Sequence, residues 1–138
     1  MLDETLVSVN DVELVWPVAQ PLLQKAINYN DGDFDSDHVF FRLQQQTMQL
    51  FIGYNPKDVI YAAVTEIIPY QKRKSLRIVL MGGKDIDSWV DTKIFERFAK
   101  VQGCDRIEIV GRKGWIKKLK TRGYQQKHFI VTKELKDE

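Results

Sequence analysis

The chain predicts an α/β domain in which a mixed, mostly antiparallel sheet with one parallel strand pair is flanked by helices. Two observations lead there. Apolar residues recur at helical spacing in the first third of the chain and at strand spacing from Met48 onward. Farther along, "SLRIVLMGG" (75–83) and "RIEIV" (106–110) bracket a capped helical stretch with short links, the pattern of a right-handed crossover between parallel strands. A length of 138 residues suits one domain over 1–138, and 43% hydrophobic with 29% charged residues is the balance of a globular protein.

The elements follow in order. "TLVSV" (5–9) reads as a short first strand. In "VWPVAQPLLQKAINY" (15–29), Val15, Val18, Leu22, Leu23, Ala26 and Tyr29 give helical spacing. Pro17 suits a first turn, and Pro21 must lie near the start or kink the helix. "NDGDFDSD" (30–37) is a loop by composition, and its acids lack the closing glutamate and flanking helices of an EF-hand calcium site. Ser36 or Asp37 can cap a second helix, "HVFFRLQQQ" (38–46). "MQLFIGYN" (48–55) and "VIYAAVTEIIPY" (59–70) form a hairpin about the turn "NPKD", and "QKRK" turns the chain into the third strand, 75–83.

The helix after that strand is the best defined. Ser88 and Asp91 make a capping box, Trp89, Val90, Ile94, Phe98 and Val101 make the apolar stripe, and Gly103 stands where a helix ends. "KGWIKKLKTRG" (113–123) is a shorter helix, and "YQQKHFIVTKEL" (124–135) reads as a last strand. No apolar run approaches the roughly 18 residues of a membrane span, and no signal-peptide pattern is present. One cysteine, Cys104, forms no internal disulfide, and with His38 and His128 far apart the sequence shows no metal cluster. Such a chain is expected in the cytoplasm or inside an assembly.

Charge is unevenly placed. Residues 1–40 hold eight acids and one lysine, whereas residues 111–127 hold seven Lys or Arg and no acid. That basic segment permits an anionic partner, including non-specific contact with nucleic acid, and Lys72, Arg73 and Lys74 extend the patch if they lie beside it. No DNA- or RNA-binding motif appears, and aromatic residues are not interleaved with the basic ones.

This order of elements, with "SLRIVLMGG", "GCDRIEIVGRKGW" and the closing "LKTRGYQ", resembles the GNAT superfamily of acetyl-coenzyme A-dependent N-acetyltransferases. The resemblance covers most of the chain and is strongest from Ser75 to Leu135. More narrowly, residues 99–124 resemble small GNAT-like proteins of tailed bacteriophages, for which a virion or assembly role is the alternative to catalysis. The resemblance implies that strands 76–81 and 106–110 splay apart, so that free backbone groups there pair with the pantetheine arm of acetyl-CoA. It implies cofactor contacts at Leu80, Met81, Gly82, Gly83, Lys84 and Ser88, with the turn facing the pyrophosphate, where amides at a helix N-terminus favour anions. Arg112 and Lys113 would meet a phosphate at the cleft mouth. Trp115 is expected to hold its helix on the sheet.

Some residues depart from the family pattern. The phosphate loop reads "MGGKDIDSW", and Asp85 and Asp87 repel an anion by on the order of 1 kcal/mol, comparable with the helix dipole's attraction. Asp87 and Ser88 can instead cap the helix. Where many relatives carry an acidic tyrosine four residues before the last helix's glycine, this chain has Leu119, leaving Tyr124 as a substitute. As base for the acceptor amine, Glu66 in its apolar strand is the first candidate, and Glu108, alternating with Ile107 and Ile109, is the second. The two expectations for function are an N-acetyltransferase acting on an amine, and a catalytically silent module that docks to protein or nucleic acid.

Overall fold

The computed structural model describes residues 2–30, 32–84, 93–111, 114–127 and 130–136. Its centre is one five-stranded sheet in the order β1 (Asp3–Leu6), β2 (Gln49–Tyr54), β3 (Val59–Pro69), β4 (Lys74–Gly83), β5 (Arg106–Ile109). The first four strands pair antiparallel, and β5 lies parallel to β4. The helices are α1 (Val12–Tyr29), α2 (Ser36–Gln44), α3 (Ile94–Val101) and α4 (Gly114–Lys120). Among the described residues no helix is long and apolar enough to cross a membrane.

Strand alternation sends each face of the sheet into its own core. Leu50, Ile52, Ala62, Val64 and Leu80 meet Ala19, Leu23 and Ile27 of α1 and Val39 and Leu43 of α2. On the opposite face Phe51, Tyr61, Ala63, Leu76 and Ile78 meet Phe95 and Ala99 of α3. Phe51 is the hub there, with the rings of Phe95 and Phe98 edge-on at 5.0 and 5.3 Å. Tyr61 reaches from this core to donate its hydroxyl to Glu4 on β1.

Several boundaries differ from the sequence reading. β1 starts at Asp3 and ends at Leu6, because residues 9–11 form a 3₁₀ turn leading into α1. Helix α1 therefore begins at Val12, and both Pro17 and Pro21 fall inside it. Each proline removes one backbone donor, but both are exposed, so the carbonyls they leave unbonded face water. The buried stripe of α1 is Val12, Ala19, Leu23 and Ile27, while Val18 is 52% exposed. Helix α2 is capped by Asp35, whose carboxylate accepts the His38 N–H at 2.8 Å, and not by Ser36 or Asp37.

In α3 the buried positions are Phe95 and Ala99, and Val101, placed by spacing on the apolar stripe, is 80% exposed. The capping box Ser88–Asp91, with Trp89 and Val90, lies outside the described residues. The C-terminal end is as expected: Gly103 has φ +75°, its N–H donates to Lys100 O, and Cys104 N–H donates to Ala99 O. The expected last strand is absent from residues 124–127 and 130–136, where Ile130, Val131 and Leu135 are 89%, 92% and 90% exposed. β-Forming side chains stabilise a strand only against a neighbour, and β5 pairs with β4 alone among the described residues.

Candidate functional site

The site begins with one extra residue in β4. Ile78 faces Thr65 on β3 and Leu80 faces Val64, so Val79 is unmatched, and Val79 and Leu80 both point into the α1-side core. Such a bulge bends a strand and increases its local twist. On the other side of β4, pairing with β5 runs from Ser75↔Arg106 to Ile78↔Ile109 and closes with the Val110 N–H donating to Ile78 O at 3.1 Å. Beyond that bond β4 continues to Gly83 with no β5 residue opposite it. The pair is laddered at its base and parted above, a V with its vertex at Ile78 and Ile109.

A cleft of about 400 Å³ fills the V. Its floor is Ile78, Val79, Ile109 and Val110, one side is Leu22, Ala26 and Tyr29 of α1, and the other is Trp115 at the start of α4. Met81, Gly82 and Gly83 form the β4 wall, and Lys25 and Lys118 also line the cleft. The volume falls within the range of small-molecule sites, about 300–1,000 Å³, and apolar walls with a few polar groups are typical of them.

The glycine pair has a packing cause. A Cβ on Gly82 would sit 2.9 Å from the Leu22 carbonyl carbon and nearer still to its oxygen, so α1 lies directly on β4 here. Gly83 has φ +141°, and a Cβ there would strike Ile60 O and the Tyr61 backbone of β3. Both glycines line the cleft, but the close neighbour that each one admits is protein.

The predicted site residues separate accordingly. Met81, Gly82 and Gly83 come together at the cleft, whereas the Leu80 side chain is 1% exposed in the core beneath α1. Lys84 is exposed just past the cleft wall, and its N–H donates to Ile60 O at 2.8 Å. Ser88, Arg112 and Lys113 lie outside the described residues. Trp115 both packs against the α3-side core and lines the cleft, and Gly111 beside it leaves room for the indole.

Glu66 lies on β3 away from the cleft lining, with its carboxylate held by Arg42 of α2. Tyr124 follows α4, its N–H donating to Leu119 O at 3.3 Å, and burial, helped by Glu96, pushes its phenol pKa up. Leu119 is buried. Cys104 is half-buried, and its thiol pKa is raised mainly by burial. Glu108, the second candidate base, lies between two arginines. Its carboxylate accepts from Arg77 Nε at 3.0 Å, Arg106 Nη2 at 2.8 Å and the Tyr70 hydroxyl at 3.1 Å. Burial pushes the Glu108 carboxyl up, but these hydrogen bonds outweigh it and hold the pKa below the usual carboxylate range.

The sequence reading missed the α1 contribution of Lys25 and Tyr29, because nothing in a helical repeat says which end of the helix crosses the open end of a V. It also missed the partners of Glu108. Those were within reach, since Arg77 and Glu108 are the polar alternates of two strands expected to run parallel. Among the described residues no group of three His, Cys, Asp or Glu side chains could hold a metal.

No protein-family model and no curated protein matches the chain. Solved structures do match its fold. A predicted acetyltransferase from Clostridium acetobutylicum, crystallised with acetyl-CoA, is similar at TM-score 0.66 and 16% identity, over 97% of this chain and 96% of that one. An aminoglycoside acetyltransferase from an uncultured soil metagenomic sample, crystallised with trehalose, is similar at 0.63 and 14%, over 96% and 97%. A GNAT family acetyltransferase from Staphylococcus aureus is similar at 0.61 and 14%, over 97% and 98%. The chain thus has the fold of GNAT acetyltransferases.

Proposed function

We propose that this protein is an N-acetyltransferase that uses acetyl-CoA to acetylate an amine. The observation that carries the reading is the parting of β4 and β5 beyond Ile78 and Ile109, which leaves the upper part of β4, still paired with β3, without a strand partner on its β5 side beside an apolar cleft. Backbone groups denied a strand partner must find another, and a slender chain of amides such as pantetheine supplies one. The similar Clostridium protein, with acetyl-CoA in its crystal, supports that choice. The residues present fit the group: Val79 to Gly83 would hold the arm, and Lys25, Lys84 and Lys118 offer positive charge for its phosphates, with Ser88, Arg112 and Lys113 as further proposed contacts.

When bound, acetyl-CoA supplies an activated thioester whose carbonyl carbon gains a bond to the amine nitrogen as the bond to sulfur breaks. The cleft's own contribution is placement. Its floor is apolar, and fixing two reactants in one geometry removes much of the entropic barrier. None of its described lining residues carries a carboxylate. Glu66 is engaged by Arg42 and Glu108 by two arginines, so the proposal assigns neither the role of base. Tyr124 is not among the described residues that line the cleft, and its raised pKa makes its phenol a weaker proton donor, so the acid role expected of it is not assigned either.

Isothermal titration with acetyl-CoA tests binding, and free-thiol release in the presence of an amine panel tests transfer. Saturable binding with amine-dependent thiol release is expected. A second reading, a silent module of phage type docking to protein or nucleic acid, is favoured by the burial of Leu119 at the family's acid position. Binding without release from any amine would select it, and no binding at millimolar acetyl-CoA would end the transferase reading.

A further inference from the structure

One charged array remains after the cleft is accounted for. Glu66, Arg77 and Glu108 are Cα partners across β3, β4 and β5, so their side chains form a row on the α1/α2 face. Arg42 closes the row at the β3 end and Arg106 at the β5 end. The signs alternate from Arg42 through Glu66, Arg77 and Glu108 to Arg106, three cations to two carboxylates. The side chains of Arg77 and Arg106 stay 33% and 30% exposed.

The excess charge has a location. Glu108 is shared, with Arg77 on one carboxylate oxygen and Arg106 on the other. Arg77 spends its Nε on Glu108 and its Nη2 on the Tyr70 hydroxyl, whereas Arg106 spends its Nε on Ser75 Oγ and its Nη2 on Glu108. The Nη1 of each has no partner among the described residues. The Tyr70 ring, 5.3 Å from the Arg106 guanidinium carbon, helps fix that guanidinium. Two arginines held in place by a common carboxylate, each with a nitrogen to spare, present the geometry in which guanidinium groups grip an oxyanion. Arg77 and Glu108 immediately precede Ile78 and Ile109, the two residues at the vertex of the V.

We infer that Arg77 and Arg106 form an oxyanion-binding site beside the vertex, and that the acceptor is an amine which also carries a carboxylate or phosphate. The acetylation chemistry of this inference rests on the transferase reading above, but the binding of an oxyanion does not. On this inference the anion is held on the row and the same molecule's amine extends along the strands toward Ile78 and Ile109 at the floor of the cleft.

Two matched pairs test the acceptor class at saturating acetyl-CoA: lysine against 1,5-diaminopentane, and phosphoethanolamine against ethanolamine. The oxyanion-bearing member of at least one pair is expected to have a kcat/KM higher by about tenfold or more, expressed in KM. Arg106→Gln should erase that preference, Arg106→Lys should restore part of it, and acetyl-CoA affinity should stay unchanged. Which pair responds tells carboxylate from phosphate. Equal or better use of both bare amines, or a preference that survives Arg106→Gln, overturns the inference while leaving the transferase reading intact. Sulfate titration followed through the Arg77 and Arg106 Nε–Hε resonances needs no turnover. Saturable shifts that vanish in Arg106→Gln are expected, and their absence in the parent protein sinks the site even if the enzyme is inactive.

Discussion

At Gly82 a hydrogen atom on β4 faces the carbonyl of Leu22 on α1, and a methyl group there would overlap backbone that has no room to move. The helix then sits close enough for Leu22 and Ala26 to form one side of the cleft. Gly82→Ala should therefore cost about 1–3 kcal/mol through overpacking, and since about 1 kcal/mol moves a domain of this size by a few degrees, Tm should fall by roughly 3–10 °C. Circular-dichroism melting measures it, and an unchanged Tm would show that α1 can back away from β4. The sequence makes this glycine conspicuous but not its cause. "MGG" before a helix suggests a backbone exposed to ligand, and only the path of α1, sixty residues earlier in the chain, shows that Gly82 serves a helix.

Between elements, the row across β3, β4 and β5 ties the parallel strand to the antiparallel sheet, and Glu108 is its shared acceptor. Its folded pKa is depressed, so its stabilising effect is present above the unfolded value, near 4.5, and is lost as pH falls through the lower folded value. Glu108→Gln should then lower stability by about 1.5–3 kcal/mol at pH 7, the range for hydrogen bonds to charged groups. The gap from the parent should shrink on acidification below about pH 4. Urea denaturation at pH 7 and pH 3 checks this, and an equal gap at both would mean that the carboxylate's charge contributes nothing. Elements with a strict period were legible: the β2–β3–β4 meander lies where spacing puts it, and so do the parallel β5 and the described part of α3, Ile94–Val101, although Val101 is exposed and not on the buried stripe. Others were decided by distant partners. Two prolines obscured the start of α1, because a proline ordinarily marks a first turn or a break and here both fall inside the helix. "FIVTKEL" has strand composition but, among its described residues, no strand beside it.

Across the whole molecule, the parallel orientation of β4 and β5 separates features that the sequence left adjacent in kind. The turn carrying Lys72 and Arg73 precedes β4, while the described basic residues of α4 follow β5, so the two lie toward opposite ends of the parallel pair. The candidate site is likewise split along these strands, with Lys25 and Lys118 bordering the cleft and Arg77 and Arg106 at the laddered base. The base is held by a ladder, a core and ion pairs, whereas the upper part of β4 lacks a neighbour on one side. Regions with fewer backbone partners open most readily and gain most from a ligand that replaces them. Acetyl-CoA at one hundred times its Kd should stabilise the fold by about 2.7 kcal/mol. The accompanying slowing of amide exchange should concentrate at residues 79–83 and 109–111, leaving 75–78 little changed. Hydrogen–deuterium exchange with and without acetyl-CoA resolves these stretches. Protection centred on α2 or on the 71–74 turn would place the cofactor outside the V and remove the basis for treating the cleft as the active site.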